Sequence, residues 1–112
     1  LQYSGARTAR PDGTPLQAAG VIGMQSKERG YFWVYDPKMY DATPLAQSGT
    51  EIRDCSVVIP SLSPGTYDVE FWDTSTGKIV RTAKHTVTKA EEAIPVPPFT
   101  GDIALKIRKA AP

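Results

Sequence analysis

A chain of 112 residues, 40% of them hydrophobic, suits one domain around one core. Its 13 Lys and Arg nearly cancel 12 Asp and Glu. The net charge of +1 supplies no positive field for tracking phosphates, so neither nucleic acid nor an anionic membrane is an expected partner. No apolar run approaches the roughly 20 residues that span a bilayer.

The abrupt start at Leu1 and the close on "KAAP" read as a piece cut from a larger multidomain protein, with residues 1–112 forming one module. Gly and Pro punctuate the chain throughout and do not gather into a linker. The first predicted strand is "QAAGVIGMQ" (17–25), with Ile22 and Met24 on one face among small residues. A charged turn, "SKERG", leads to "GYFWVYD" (30–36). The polar stretch "PKMYDATPLAQSG" separates it from "IRDCSVVIP" (52–60). "SLSPGT" turns the chain at Pro64–Gly65, where Pro fixes one φ and Gly permits the next. "YDVEFWD" (67–73) follows. "DTSTG" then makes a hairpin connector, and "KIVRTAKHTV" (78–87) returns. "TKAEEA" (88–93) reads as a turn or a single helical turn, and "IPVPP" as an edge or irregular segment, because proline cannot donate to a ladder. "DIALKIRK" (102–109) alternates, with Ile103, Leu105 and Ile107 inward and Ala104, Lys106 and Arg108 outward. No segment of 10 or more residues carries helical periodicity. The prediction is an all-β, antiparallel immunoglobulin/fibronectin-like β-sandwich of two sheets with about 7–8 strands.

The single cysteine, Cys55, excludes an internal disulfide and a cysteine metal cluster, and shares a face with Val57 and Ile59 as a small buried hydrophobe. The single histidine, His85, reads as a solvent-facing strand residue with no catalytic partner in sight. Asp36, Asp41 and Asp54 lack the Asp-x-Asp-x-Asp spacing of a calcium loop, so no metal and no cofactor are expected.

In "YDVEFWD", Tyr67, Val69 and Phe71 share one face while Asp68, Glu70 and Trp72 share the other. Unpaired carboxylates are seldom buried, so the second face looks outward and takes Trp72 with it. The same logic turns Phe32 and Val34 inward and Tyr31, Trp33 and Tyr35 outward; a register flipped by one residue would instead bury Trp33. Strands 30–36 and 67–73 are expected as neighbours. Three outward rings at alternate positions then make a flat platform roughly 14 Å long. C–H groups on the broad faces of β-linked sugars fit the negative faces of such rings. Asp68, Glu70 and Gln25 are expected at the hydroxyl rim, and Tyr40 over one end. Asp68 and Glu70 also have the backbone spacing of a hydrolase pair, but an open wet face offers nothing to raise an acid's pKa, so no enzyme is expected.

"LSPGTYDVEFWDTSTGKIV" followed by "IPVPPFTGDIALKI" resembles the C-terminal β-sandwich accessory modules of bacterial glycoside hydrolases of the cellulase type. Their hairpin often reads Pro-Gly-x-Tyr-x-Val-x-x-x-Asp-x-x-x-Gly. The resemblance is best over residues 57–109 and is more specific for fold than for function. It implies a secreted, non-catalytic carbohydrate-binding module linked to a catalytic domain. The expected ligands are β-linked plant glucans such as cellulose, mixed-linkage β-glucan, xyloglucan or cello-oligosaccharides. The alternative it implies is an immunoglobulin-like spacer docked on the catalytic domain.

Overall fold

Alternation between buried and exposed side chains runs through residues 29–35, 65–73, 91–96 and 102–109, giving each segment an inner and an outer face. The computed structural model describes residues 1–40 and 50–111, excepting the side chains of residues 39 and 40. Eleven strands lie among the described residues: β1 (Gln2–Tyr3), β2 (Arg7–Ala9), β3 (Gly20–Gln25), β4 (Arg29–Tyr35), β5 (Glu51–Ile52), β6 (Cys55–Pro60), β7 (Gly65–Asp73), β8 (Lys78–Val87), β9 (Glu91–Val96), β10 (Phe99–Thr100) and β11 (Asp102–Lys109). Eight of them have three or more residues and the others are two-residue pairings, against about 7–8 strands expected in all; β2 is not among those expected.

All pairings are antiparallel. They form a six-stranded sheet in the order β1-β3-β4-β11-β7-β8, a three-stranded sheet β2-β6-β9, and the pair β10-β5. The sheets do not close into a barrel. One core joins them: Phe32, Val69, Phe71, Leu105 and Ile107 of the large sheet, Val57, Ile59 and Ile94 of the small one, with Ile52 and Phe99 of the pair. Burying each such side chain stabilises the fold by about 1.5–3 kcal/mol relative to leaving it in water.

Three expectations need correction. β4 and β7 are not neighbours, because β11 lies between them and pairs with both. Thr88–Ala90 form a turn without a helical turn, and Glu91 already begins β9. His85 does not face solvent: it lies opposite the buried Tyr67 and bonds Glu92 on the core side of β9. β9 is an edge strand, as its Pro95 favours.

Phe32 shows why positions 23 and 30 are glycine. Gly23 is its cross-strand partner, and a Cβ there would lie 2.2 Å from Phe32 Cδ1; one at Gly30 would lie 2.5 Å from Phe32 Cε2. The ring fills the space that side chains would take. Gly23→Ala is therefore expected to destabilise the domain by about 2 kcal/mol, read as a lower urea midpoint at unchanged slope; an unchanged midpoint would contradict this packing.

Cys55 is buried, and burial pushes its thiol up to about 11. At about pH 8 the native protein should therefore resist thiol-reactive disulfide reagents that label it once unfolded. Rapid labelling of the native protein would count against that burial.

Candidate functional site

The outward face of the six-stranded sheet collects most of the residues singled out by sequence. The register puts Ile22, Trp33, Ala104, Trp72 and Ile79 in one row across β3, β4, β11, β7 and β8. The next row runs Tyr3, Met24, Tyr31, Lys106, Glu70 and Thr82, and the one after it Arg29, Arg108, Asp68 and Lys84. Phe32 and Val34 are buried while Tyr31 is exposed and Trp33 and Tyr35 are half-buried, so β4 has the register in which its aromatic row faces out.

The rings do not form the expected flat platform. The Trp33 and Tyr35 centroids are 4.7 Å apart with planes 28° apart, so the two stack on each other. Rings lying side by side on alternate residues would sit about 7 Å apart. The cause lies on the next strand: a Cβ at Gly20 would meet Tyr35 Cζ at 2.6 Å, so the phenol occupies the space over that glycine. Trp33 packs against the phenol and donates its Nε1–H to Asp102 Oδ2 at 2.9 Å; Thr74 donates to the same carboxylate. Two contacts thus fix the Trp33 indole before any ligand arrives.

Trp72 stands two strands from Trp33, about 10 Å between backbones, with Ala104 between them. The residue that separates them in this row is thus a short alanine. Trp72 donates Nε1–H to Glu70 Oε1 at 3.2 Å. Lys106 Nζ lies 4.8 Å from the Trp72 ring centroid and 5.8 Å from that of Tyr31, a cation shared between two aromatic faces. Asp68 accepts from Lys84 Nζ at 2.7 Å; both side chains are exposed, so the pair adds little stability. Each carboxylate keeps further lone pairs for hydroxyl donors.

No protein-family model, curated protein or solved structure matches the chain.

The face thus gathers Tyr31, Trp33, Tyr35, Trp72, Asp68 and Glu70. Gln25 does not join them. It is on the inner side of β3, where its amide donates to the Pro60 carbonyl at 2.8 Å and its oxygen accepts from Ser4. It lines a hollow of about 490 Å³ with Tyr3, Lys27 and Pro60. The side chain of Tyr40 lies outside the described residues, as does Asp41. Among the described residues no group of three or more His, Cys, Asp or Glu is placed to hold a metal.

Sequence reasoning missed Lys106, Asp102 and Gly20. The outward position of Lys106 was visible in the alternation of "DIALKIRK"; its place between Tyr31 and Trp72 depends on β11 entering the sheet between β4 and β7. Ile22, Met24 and Ile79 extend the exposed apolar area beyond the rings.

Proposed function

We propose that this domain is a non-catalytic carbohydrate-binding module that takes β-linked plant glucans on the outward face of its six-stranded sheet. The observation that carries the reading is the Trp33 indole, held by Tyr35 and Asp102 on an open face opposite Trp72 across Ala104. A ring fixed in advance loses little entropy when a sugar stacks on it. Carboxylates beside the rings can accept from sugar hydroxyls. Because the rings are stacked and not coplanar, a single soluble chain suits the face better than a crystalline surface.

The fold reading that goes with it is a two-sheet sandwich. Its support, besides the shared core, is the corner at Tyr67: this buried phenol lies 2.7 Å from the Ser63 carbonyl oxygen and 2.9 Å from that of Lys27, with one proton to donate. Such a tyrosine corner, reaching back to backbone a few residues upstream, recurs in immunoglobulin-type sandwiches. The position of β11 between β4 and β7 departs from the immunoglobulin strand order. By its resemblance to accessory modules, the domain is secreted and works tethered to a glycoside hydrolase catalytic domain.

Titration with cellopentaose and a soluble mixed-linkage β-glucan, followed by tryptophan fluorescence, tests this reading. A saturable change at micromolar or weaker affinity, on the order of −5 to −8 kcal/mol, is expected. No change with either ligand overturns it.

A second reading, a spacer docked on its catalytic domain, is favoured by Ile22, Met24 and Ile79. These aliphatic side chains widen the apolar face without adding surfaces on which sugars stack. Electrophoresis through glucan-containing gels separates the readings, since a spacer migrates without retardation.

A further inference from the structure

The charged end of the outward face has a like-charge pair at its centre. Arg29 and Arg108 are direct cross-strand partners on β4 and β11, and both are exposed. Like charges directly opposite one another destabilise a sheet. Asp68 stands opposite Arg108 on β7 but bonds Lys84, and Glu70 accepts from Trp72; neither makes an ion pair with the arginines. Neither guanidinium makes an ion pair or hydrogen bond among the described residues. In these two rows Arg29, Lys84, Lys106 and Arg108 outnumber Asp68 and Glu70, a local excess of positive charge in a chain that is close to neutral overall.

Arg108 and Lys106 border a cleft of about 190 Å³ that is also lined by Tyr31, Asp68, Glu70 and Ile107. Pockets that enclose a small molecule hold roughly 300–1,000 Å³, so this one receives part of a ligand and leaves the rest on the sheet. Tyr31 supplies a ring face at the cleft. Arg29 alternates with Tyr31 on β4, about 7 Å away, and Arg108 stands beside it on β11. A sugar stacked on Tyr31 therefore has its edge substituent within reach of two arginines. A guanidinium binds a carboxylate through two parallel N–H donors, a geometry that neutral hydroxyls do not match.

We propose that the ligand of this face is an acidic β-glycan whose uronate carboxylate is held by Arg29 and Arg108 while its ring stacks on Tyr31. The inference rests on the carbohydrate-binding reading above and narrows it from neutral glucans to chains that carry carboxylates.

Calorimetric titration with β-1,4-linked glucuronate oligosaccharides and with cello-oligosaccharides of equal length tests it. The two ligands differ only in the oxidation of C6. At low salt the carboxylated chain is expected to bind about tenfold more tightly, and the advantage to disappear at about 0.5 M salt, where charges are screened within a few ångströms. The Arg29→Gln/Arg108→Gln double variant is expected to bind the two ligands alike, whereas Lys38→Gln, remote from the face, keeps the preference. If the double variant does not fold, Arg108→Lys serves instead, keeping the charge but losing the two-pronged donor and most of the preference. Equal or tighter binding of the neutral chain overturns the proposal and leaves the glucan reading standing. Binding of neither ligand overturns both. A preference that survives in the arginine variant, or is lost as fully in Lys38→Gln, reduces the effect to general charge attraction and also overturns it.

Discussion

Glu92→Ala is expected to destabilise the domain by about 3 kcal/mol near neutral pH, and to remove much of the loss of stability in acid. Glu92 is only 7% exposed and shares the inward face of β9 with Ile94 and Val96. Burial alone would push its carboxyl up. Hydrogen bonds from His85 Nε2–H at 2.8 Å and from the backbone N–H groups of Thr88 and Lys89 at 3.0 and 2.8 Å, together with the His85 charge, outweigh burial and hold it below its ordinary value of 4.5. The two backbone donors belong to the turn between β8 and β9, so this one carboxylate ties down the connection by which the chain passes from the six-stranded to the three-stranded sheet. A folded-state pKa below the unfolded value means that the stabilisation is fully present above about pH 4.5 and is lost as pH falls through the folded value. Urea unfolding at neutral pH and in acid measures both effects. The gap between wild type and variant should be widest near neutral pH and should shrink in acid. Glu92→Gln keeps the size of the side chain and loses the charge, so it should cost less at neutral pH while flattening the acid dependence equally. A gap of the same size at both pH values would mean that the carboxylate is not held ionised in the fold.

The contrast between β11 and β9 marks what the sequence makes legible. "DIALKIRK" alternates apolar and polar residues, and every one of its inward positions is buried. "EEAIPV" alternates just as well, with Glu92, Ile94 and Val96 buried, yet the inward position of Glu92 is hidden by its charge. Only its partners make that burial tolerable, and they come from the preceding turn and from His85. β3 misleads in the opposite way. Its larger apolar residues, Ile22 and Met24, face out, while the inner side has Gly23, because Phe32 of the next strand fills that space. The outward direction of Tyr31, Trp33, Tyr35 and Trp72 follows from local alternation and the aversion of Asp68 and Glu70 to burial. Their mutual arrangement does not, because it depends on which strand lies between β4 and β7 and on the side-chain torsions that stack Trp33 on Tyr35.

Trp72→Ala is expected to weaken binding of a cello-oligosaccharide by about 2–3 kcal/mol, roughly 30–150-fold, while leaving the fold intact. The estimate combines the apolar area that a sugar covers on an indole with the added attraction of C–H groups to its face. Trp72 is on the outward side of β7, and the core residues that precede it on the inward side, Val69 and Phe71, are untouched by the change. Trp33→Ala should weaken binding by a similar factor but should also lower stability, since it removes the stack on Tyr35 and leaves Asp102 without the indole N–H. That cost is about 1–2 kcal/mol. Trp33→Phe separates the two roles, because it can keep a ring against Tyr35 but cannot donate to Asp102. Affinity from calorimetry and stability from urea unfolding, measured on the same three variants, distinguish a sugar-stacking face from a structural aromatic cluster. If the face serves a ligand, Trp72→Ala changes affinity and not stability. If the rings serve only the sheet, stability falls and affinity for every glycan tried stays where it was, and the binding role is then lost for Trp72.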